Sequence, residues 1–260
     1  MYTYNRDYNE LWYNKESKTL QKSNPHFFLQ NTIFDKGFIV SNTSQVSSPT
    51  VILPDLSAYI IIHCLQNGNF RVRIVGPRTE SIFINRRSRY NTLIFRLKHF
   101  ALYYLSSVPM KEFTDRSVDI EDIFGVKIKQ GILMKLDTEG FENIFDFLSK
   151  EITLNYWKDS SFMSACLTPE LNNIKTTVQS TARSLGVSSR YFQKICNTQL
   201  GMPPKMMLKV KRLISSLHLK SMFPEMNYAH LAVASGYFDQ SHMIDDYQQF
   251  IQNTPVEIFG

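Results

Sequence analysis

The chain has 260 residues, a hydrophobic fraction of 43% and a formal net charge of +6. No apolar run approaches the ~20 residues that a membrane-spanning helix needs, and no signal-peptide pattern precedes the first domain, so we expect a cytoplasmic protein. Cys64, Cys166 and Cys196 lie far apart without metal-ligand spacing, which excludes a zinc or disulfide framework and favours buried thiols. The mild basic excess is compatible with nucleic acid but does not establish it, because it is shared evenly by the residues before and after Glu170.

The N-terminal half alternates short β-rich runs with turn residues. Residues 1–30 are polar, and we expect them to be loosely ordered at the start. Candidate strands follow at 38–40, 51–53, 59–65, 70–75, 81–84 and 92–97. Asn67-Gly68-Asn69 is a hairpin signal, and the alternation of Arg71 and Arg73 with apolar residues predicts one buried and one wet face. The pattern predicts a small, mostly antiparallel sheet or barrel.

Helical patterns come next, at 98–107, 109–115 and 118–124, and a longer amphipathic helix is predicted at 137–157. We therefore expect a β-rich sensing or dimerisation domain over 1–136 and a helical linker over 137–164.

No sequence pattern in this half indicates an enzyme. Glycine-rich phosphate loops, His-Glu-x-x-His and Gly-x-Ser-x-Gly are absent from the sequence. The acidic residues between 115 and 122 are interpreted as helix caps and solvated faces, and His63 beside Cys64 as a half-buried pair in a strand. We expect no catalytic residue, no cofactor and no metal.

A group of arginines leaves two interpretations open: an exposed rim on the sheet domain, or a site for an anionic effector or a second DNA contact. Its members are Arg71, Arg73, Arg78, Arg86, Arg87, Arg89 and Arg96.

The C-terminal region, 165–260, carries one helical signal twice. In each copy an Ala lies four residues before a Gly, and a short polar turn and an amphipathic helix follow. Gly186 and Gly236 mark the two turns, and the second turn is one residue longer, so that Phe192 corresponds to Met243. A Gly that tolerates positive φ and a capped second helix are typical of a helix-turn-helix, whose second helix enters the DNA major groove.

The first copy offers a polar face for DNA. Ser188 is a good N-cap, and Tyr191, Phe192, Ile195 and Cys196 form the predicted buried stripe. Ser189, Arg190, Gln193 and Lys194 lie opposite, and such side chains contact base edges and phosphates; a solvated helix face is the alternative. A long helix with a basic first half is predicted over 203–222, Pro224 ends it, and Asn227 is the predicted N-cap of the next helix.

These residues resemble the DNA-binding region of the AraC/XylS transcription regulators. The pattern is carried by Ala182, Leu185-Gly186-Val187-Ser188, Phe192, Leu200-Gly201, Pro204, Leu208, Arg212, Ala232, Gly236-Tyr237, Asp239-Gln240-Ser241-His242, Tyr247 and Thr254-Pro255. The resemblance implies two helix-turn-helix subdomains joined by one long helix, with Arg212 as a structural or backbone-contacting residue. The residues expected to bind DNA are Ser188, Ser189, Arg190, Gln193, Lys194, Lys205, Arg212, Asp239, Gln240, Ser241 and His242.

The chain departs from the family's patterns in three places, two in the DNA-binding region and one in the N-terminal half. Asp245 and Asp246 stand in the second recognition helix where basic residues are usual, so we expect this subdomain to bind DNA more weakly. Gln252 replaces a favoured Gly before the Thr-Pro step, which predicts strain. Gly76-Pro77-Arg78-Thr79 and residues 114–119 resemble an N-terminal domain found on some AraC-family regulators, but Lys98-His99-Phe100-Ala101 replaces its Arg-Pro-Gly-Ala step.

The sequence thus predicts an α+β protein with an N-terminal, mostly antiparallel β domain with short helices and a C-terminal all-α double helix-turn-helix domain. The expected function is sequence-specific regulation of transcription, with activation inferred from family habit and binding across two adjacent major grooves. Double-stranded DNA and RNA polymerase are the expected partners, with a small-molecule effector in the N-terminal domain and a homodimer as further options, and no membrane. One alternative is a protein-interaction module in which only the first helix-turn-helix holds DNA; another is an architectural nucleic-acid binder.

Overall fold

The computed structural model describes residues 10–14, 19–23, 27–28, 34–40, 50–64, 69–84, 92–138, 142–156 and 177–259. In these ranges the N-terminal half forms two antiparallel sheets. Their strands are β1 (Glu10–Asn14), β2 (Thr19–Ser23), β3 (Phe27–Phe28), β4 (Phe34–Val40), β5 (Thr50–Ile52), β6 (Tyr59–Cys64), β7 (Phe70–Val75), β8 (Ile82–Ile84), β9 (Thr92–Leu97) and β10 (Ser117–Asp119).

The larger sheet has the order β10-β7-β6-β9-β4-β3 and the smaller one β2-β1-β5-β8. Strand alternation places Ile60, Ile62 and Ile74 on one face of the larger sheet, where they are fully buried. Arg71 and Arg73 fall on the other face, as the sequence predicts. The prediction of a mostly antiparallel β domain is confirmed. Residues 1–9, where loose order is expected, lie outside the described residues, and β1 and β2 after them pair with each other.

Helices cover the apolar face of the larger sheet. They are α1 (Ala101–Leu105), a 3-10 turn (Met110–Glu112), α2 (Ile120–Phe124), α3 (Val126–Thr138) and α4 (Glu142–Tyr156). The sequence did not predict α3. Helix α4, expected in the linker, buries Ile144, Leu148 and Ile152 in the same core as the sheet. Residues 157–176, which hold most of the rest of the expected linker, lie outside the described residues.

The two segments that carry the N-terminal resemblance, 76–79 and 114–119, are hydrogen-bonded to each other. The Asp115 carboxylate accepts hydrogen bonds from the Thr79 backbone N–H at 2.7 Å and from the Thr79 hydroxyl at 2.6 Å. The Gly76 N–H donates to the Arg116 carbonyl at 3.1 Å, directly before β10 pairs with β7. The Asp115 carboxylate thus caps a backbone N–H, in agreement with the interpretation of these acidic residues as caps.

The C-terminal region is all helical in the range 177–259. Its helices are α5 (Val178–Ser184), α6 (Ser189–Gln199), α7 (Pro204–Met222), α8 (Tyr228–Ala234), α9 (Gln240–Ile251) and α10 (Pro255–Phe259). Pro204 occupies the first position of α7, where its missing N–H costs no hydrogen bond. The Asn227 side chain caps α8 by accepting from the His230 N–H at 2.8 Å. The predicted long helix and the predicted cap are both confirmed.

The two halves share one buried apolar cluster. Leu53, Leu56, Phe100 and Tyr104 of the N-terminal half belong to the same cluster as the cores of both helix-turn-helix units. The Thr114 hydroxyl also donates to the Gly201 carbonyl at 3.0 Å. The first unit is therefore anchored to the N-terminal half where α6 ends.

Phe100, a member of this cluster, has an unusual backbone conformation. It has φ 66, in the left-handed region, at the position where the resembling domain has Gly. That conformation costs a residue with a Cβ about 1–2 kcal/mol. Because the side chain of Phe100 is 3% exposed, its burial is worth roughly 1.5–3 kcal/mol and offsets the strain.

None of the helices in the described part of the chain is long and apolar enough to cross a membrane.

Gly201 and Gly186 give a matched pair of variants for the contact between the halves. Both have positive φ, +75 and +67, so Ala is strained at either position. A Cβ at Gly201 would lie 2.4 Å from the Thr114 hydroxyl and 2.6 Å from the Met110 carbonyl, whereas one at Gly186 meets nothing within 4 Å. We predict that Gly201→Ala lowers the unfolding free energy of the full chain by roughly 1–3 kcal/mol more than Gly186→Ala does. Equal losses in chemical denaturation would show that the halves do not pack closely at Gly201.

Candidate nucleic-acid interface

Two helix-turn-helix units repeat the same local geometry. In the first turn the Val187 N–H donates to the Ala182 carbonyl at 3.0 Å, and in the second the Tyr237 N–H donates to the Ala232 carbonyl at 2.9 Å. The second helices then begin after the N-caps Ser188 and Asp239. The one residue that the second turn has in excess is therefore Phe238.

In the first unit, α6 presents a polar face to solvent. Its N-cap Ser188 accepts from the Tyr191 N–H at 3.2 Å, which fixes the start of the helix. Phe192, Ile195 and Cys196 are buried as predicted, but Tyr191 is 47% exposed and does not belong to the buried stripe. The predicted DNA-facing residues are all exposed: Ser189, Arg190, Gln193 and Lys194.

The second unit has the same capped geometry as the first, but its side chains differ in charge. The Asp239 carboxylate accepts from the His242 N–H at 2.8 Å, so this acid serves as the helix N-cap. The His242 ring packs edge-on against Tyr237 at 5.3 Å between centroids and is half-buried. Gln240 and Ser241 are exposed at the start of α9, whose twelve residues include no Lys or Arg.

Asp246 does not face solvent, contrary to the assumption that both acids of α9 lie near phosphates. It is 1% exposed, and its carboxylate accepts from the Lys209 ammonium at 2.9 Å and lies 3.9 Å from an Arg212 nitrogen. The corresponding residue of the first unit is the buried Ile195. Asp246 therefore ties α9 to the long helix α7, and only Asp245 remains an exposed acid on this helix.

The two predicted contacts on α7 differ in their surroundings. Lys205 is exposed in the first turn of the helix. The Arg212 guanidinium is half-buried beside Asp246 and lies over the Tyr237 ring at 5.4 Å from its centroid. The structural role that the resemblance implies for Arg212 matches this placement.

The second unit ends on a strained residue, as predicted. Gln252 has φ 60 and corresponds to Gly201, which has φ 75. Its N–H still donates to the Gln248 carbonyl at 3.2 Å, so the left-handed turn that closes the helix is kept without glycine.

The four arginines of the predicted group that the structure describes have different surroundings. Arg96 is paired with Asp55 at 3.2 Å, Arg78 is buried, and an Arg73 nitrogen donates to the Ser117 carbonyl at 2.6 Å. Burial acts to raise the pKa of the Asp55 carboxyl, but the charges of Arg96 and His99 and the Tyr59 hydrogen bond hold it below its usual value. Arg71 is exposed, while positions 86, 87 and 89 lie outside the described residues.

His63 and Cys196, residue types that are often reactive in other proteins, are held here by burial and hydrogen bonding. His63 is half-buried and its Nδ1 lies 3.1 Å from the Thr92 hydroxyl. Burial, with Arg71 and Arg73 nearby, lowers the pKa of His63. Burial raises the pKa of the Cys196 thiol to about 12, so this thiol stays protonated. Within the described ranges no cluster of His, Cys, Asp and Glu has the arrangement of a metal site.

Comparison with known proteins assigns the C-terminal region. Residues 181–259 match a family model described as a helix-turn-helix domain. Curated proteins give no match to the chain. Among solved structures, ToxT from Vibrio cholerae is similar, with 12% identity over 88% of this chain and 94% of its own at a TM-score of 0.47.

Two further solved structures resemble the chain over a shorter stretch. An AraC-type transcriptional regulator from Chromobacterium violaceum is 21% identical over 36% of this chain and 85% of its own, at a TM-score of 0.33. A DNA-binding transcriptional dual regulator from Escherichia coli K-12 is 21% identical over 39% and 91%, at a TM-score of 0.34. At these TM-scores the structural likenesses carry no further conclusion about this chain.

The paired, capped helix-turn-helix units and the family match define a DNA-binding protein. More particularly, residues 181–259 form a helix-turn-helix domain of the AraC type, which confirms the resemblance found in the sequence. This assignment supports a DNA-binding transcription regulator.

Asp246 and Asp245 are a matched pair that tests the contact between α9 and α7. We predict that Asp246→Asn lowers the unfolding free energy by roughly 2–3 kcal/mol, because it leaves Lys209 and Arg212 without their anionic partner in a half-buried setting. Asp245→Asn, at an exposed position, should change it by less than about 0.5 kcal/mol. Denaturant titrations of both variants check this, and equal stability of the two would contradict the buried ion pair.

Proposed function

We propose that this chain is a sequence-specific regulator of transcription that binds two adjacent major grooves of double-stranded DNA. The observation that supports this most is the repetition of one capped helix-turn-helix geometry in two units that a single continuous helix joins. Successive major grooves on one face of DNA are ~34 Å apart, which is the separation that two recognition helices need in order to enter both.

Within this proposal the first unit supplies most of the base and phosphate contacts. Arg190 and Gln193 are suited to the edges of guanine and adenine, and Lys194 to a phosphate. Ser189 and Lys205 are also exposed and complete the proposed contacts of this unit. Ser188 caps the helix and offers its N-terminal end to DNA.

The second unit contributes contacts of another kind. Gln240 and Ser241 are proposed to contact bases, while Asp239 and His242 hold the turn and Arg212 holds α9 in place. The exposed Asp245 corresponds in sequence to Lys194 of the first unit, and an acid near phosphate weakens binding. We therefore propose that this unit adds selectivity more than affinity.

Activation, RNA polymerase as a partner, a homodimer and a small-molecule effector in the N-terminal domain are proposed on the family resemblance. The apolar cluster shared by the two halves supports a role for the N-terminal domain in positioning the first unit.

Arg190→Ala and Lys194→Ala test the first recognition helix on a DNA site selected from a random library with the wild-type protein. Arg190→Ala should weaken binding by roughly 1–3 kcal/mol and relax the preference at one base pair. Lys194→Ala should weaken binding to all sequences alike and lower the salt slope by about one unit. Lys127→Ala, which removes a charge from the exposed surface of α3, is the control. Wild-type affinity in the Arg190 and Lys194 double variant would remove α6 from the interface.

The alternative, in which only the first unit holds DNA and α9 docks a protein, is favoured by the absence of Lys and Arg from α9. The length of DNA protected by the bound protein separates the two functions. Protection of about two helical turns supports binding by both units, and protection of about one turn supports the interaction module.

A further inference from the structure

Phe238 is the most exposed of the large hydrophobic residues whose burial the structure describes. Its side chain is 87% exposed, although it lies between the buried Tyr237 and the helix N-cap Asp239. It is also the single residue by which the second turn exceeds the first. The first unit therefore has no residue that corresponds to it.

Packing within the chain does not explain this phenylalanine. A hydrophobic residue just before an N-cap often packs against the fourth residue of the helix, which here is Met243. Met243 is fully buried without it, and the ring at the turn that enters the core belongs to Tyr237, which is 4% exposed. The phenyl ring of Phe238 thus remains in solvent at the start of α9.

Phe238 lies next to the end of α9 from which a helix-turn-helix contacts bases. The N-terminal residues of a recognition helix lie closest to the base edges in the major groove. At this end the second unit exposes Phe238, Gln240 and Ser241, with no Lys or Arg along α9. An apolar ring has one partner among the base edges of the major groove, the C5-methyl group of thymine.

We propose that Phe238 contacts the methyl group of a thymine in the major groove bound by the second unit and so determines specificity at that base pair. The inference rests on the proposed function, because it requires α9 to enter the groove. It also accounts for how a recognition helix without basic residues can favour one sequence. Burial of apolar surface against a methyl group is independent of charge and persists at high salt.

Removal of the methyl group alone tests the contact. Each thymine of the selected site is replaced in turn by deoxyuridine, and binding of the full chain is measured for the wild type, Phe238→Ala and Phe238→Leu. For the wild type we expect one position in the second half of the site where uracil weakens binding about fourfold, as for the loss of one buried methyl group. The Phe238→Ala variant should bind the DNA with thymine at this position about as weakly as the wild type binds the DNA with uracil there. Replacing thymine by uracil should not weaken the binding of this variant further. Phe238→Leu should keep part of the preference.

Phe223→Ala is the matched control, since Phe223 is also exposed, at 50%, but lies at the end of α7. It should retain the wild-type preference for thymine. Because the Phe238 ring is exposed, Phe238→Ala should also keep the wild-type melting temperature, which excludes loss of fold as the cause.

The outcomes separate this inference from the function on which it rests. If the wild type selects a site that Arg190→Ala weakens, but uracil has no effect anywhere in the second half, the DNA-binding function stands and the thymine contact is overturned. A Phe238→Ala protein that still distinguishes thymine from uracil also overturns it. If Phe238→Ala binds weakly while uracil does not affect the wild type, the ring touches something other than a methyl group. If the wild type selects no sequence at all, both the inference and the proposed function fail.

Discussion

The contact on which the arrangement of the molecule depends is the apolar cluster that runs from the N-terminal half into the helical domain. Leu53, Leu56 and Tyr104 come from the segments around the sheet, and they share their cluster with residues of α6, α7 and α9. Burial of this kind has no preferred direction, so polar contacts are needed to fix the orientation. The Thr114–Gly201 hydrogen bond and the close approach of Met110 to Gly201 supply that orientation at the end of α6. The first recognition helix is thus held at its C-terminal end, which leaves its N-terminal end and polar face exposed.

The two helix-turn-helix units share a backbone plan and differ in what stabilises it. At corresponding buried positions the first unit has Ile195 and the second has Asp246. The isoleucine is stabilised by removal of apolar surface from water, whereas the aspartate needs Lys209 and Arg212 to compensate its charge. Three basic residues of α7 therefore differ in their surroundings. Lys205 is exposed, whereas Lys209 and Arg212 are oriented toward α9.

The parts that the sequence predicted are those specified by local signals. Caps such as Ser188 and Asn227, the proline that starts α7 and the alternation along β7 all act within a few residues, and the structure confirms them. The errors arise where a distant partner decides. An aspartate such as Asp246 is expected at the surface. It is buried here because it pairs with Lys209, which lies 37 residues earlier in the chain. Likewise β1 carries Leu11-Trp12-Tyr13 within a range that is polar overall, and it forms a strand because β2 and β5 pair with it on either side. Helix α4 joins the sheet core through contacts that no local pattern specifies.

The shared apolar cluster has a consequence for any ligand that would separate the two halves. Separation would expose to water the apolar side chains that the halves bury together. A ligand shifts such an equilibrium only by the difference between its affinities for the closed and the open form. Because the exposure of this apolar surface must be compensated, that difference must reach several kcal/mol, which corresponds to a thousandfold or greater preference for the open form at about 4 kcal/mol. A weakly discriminating molecule would occupy the protein without opening it, whatever its concentration.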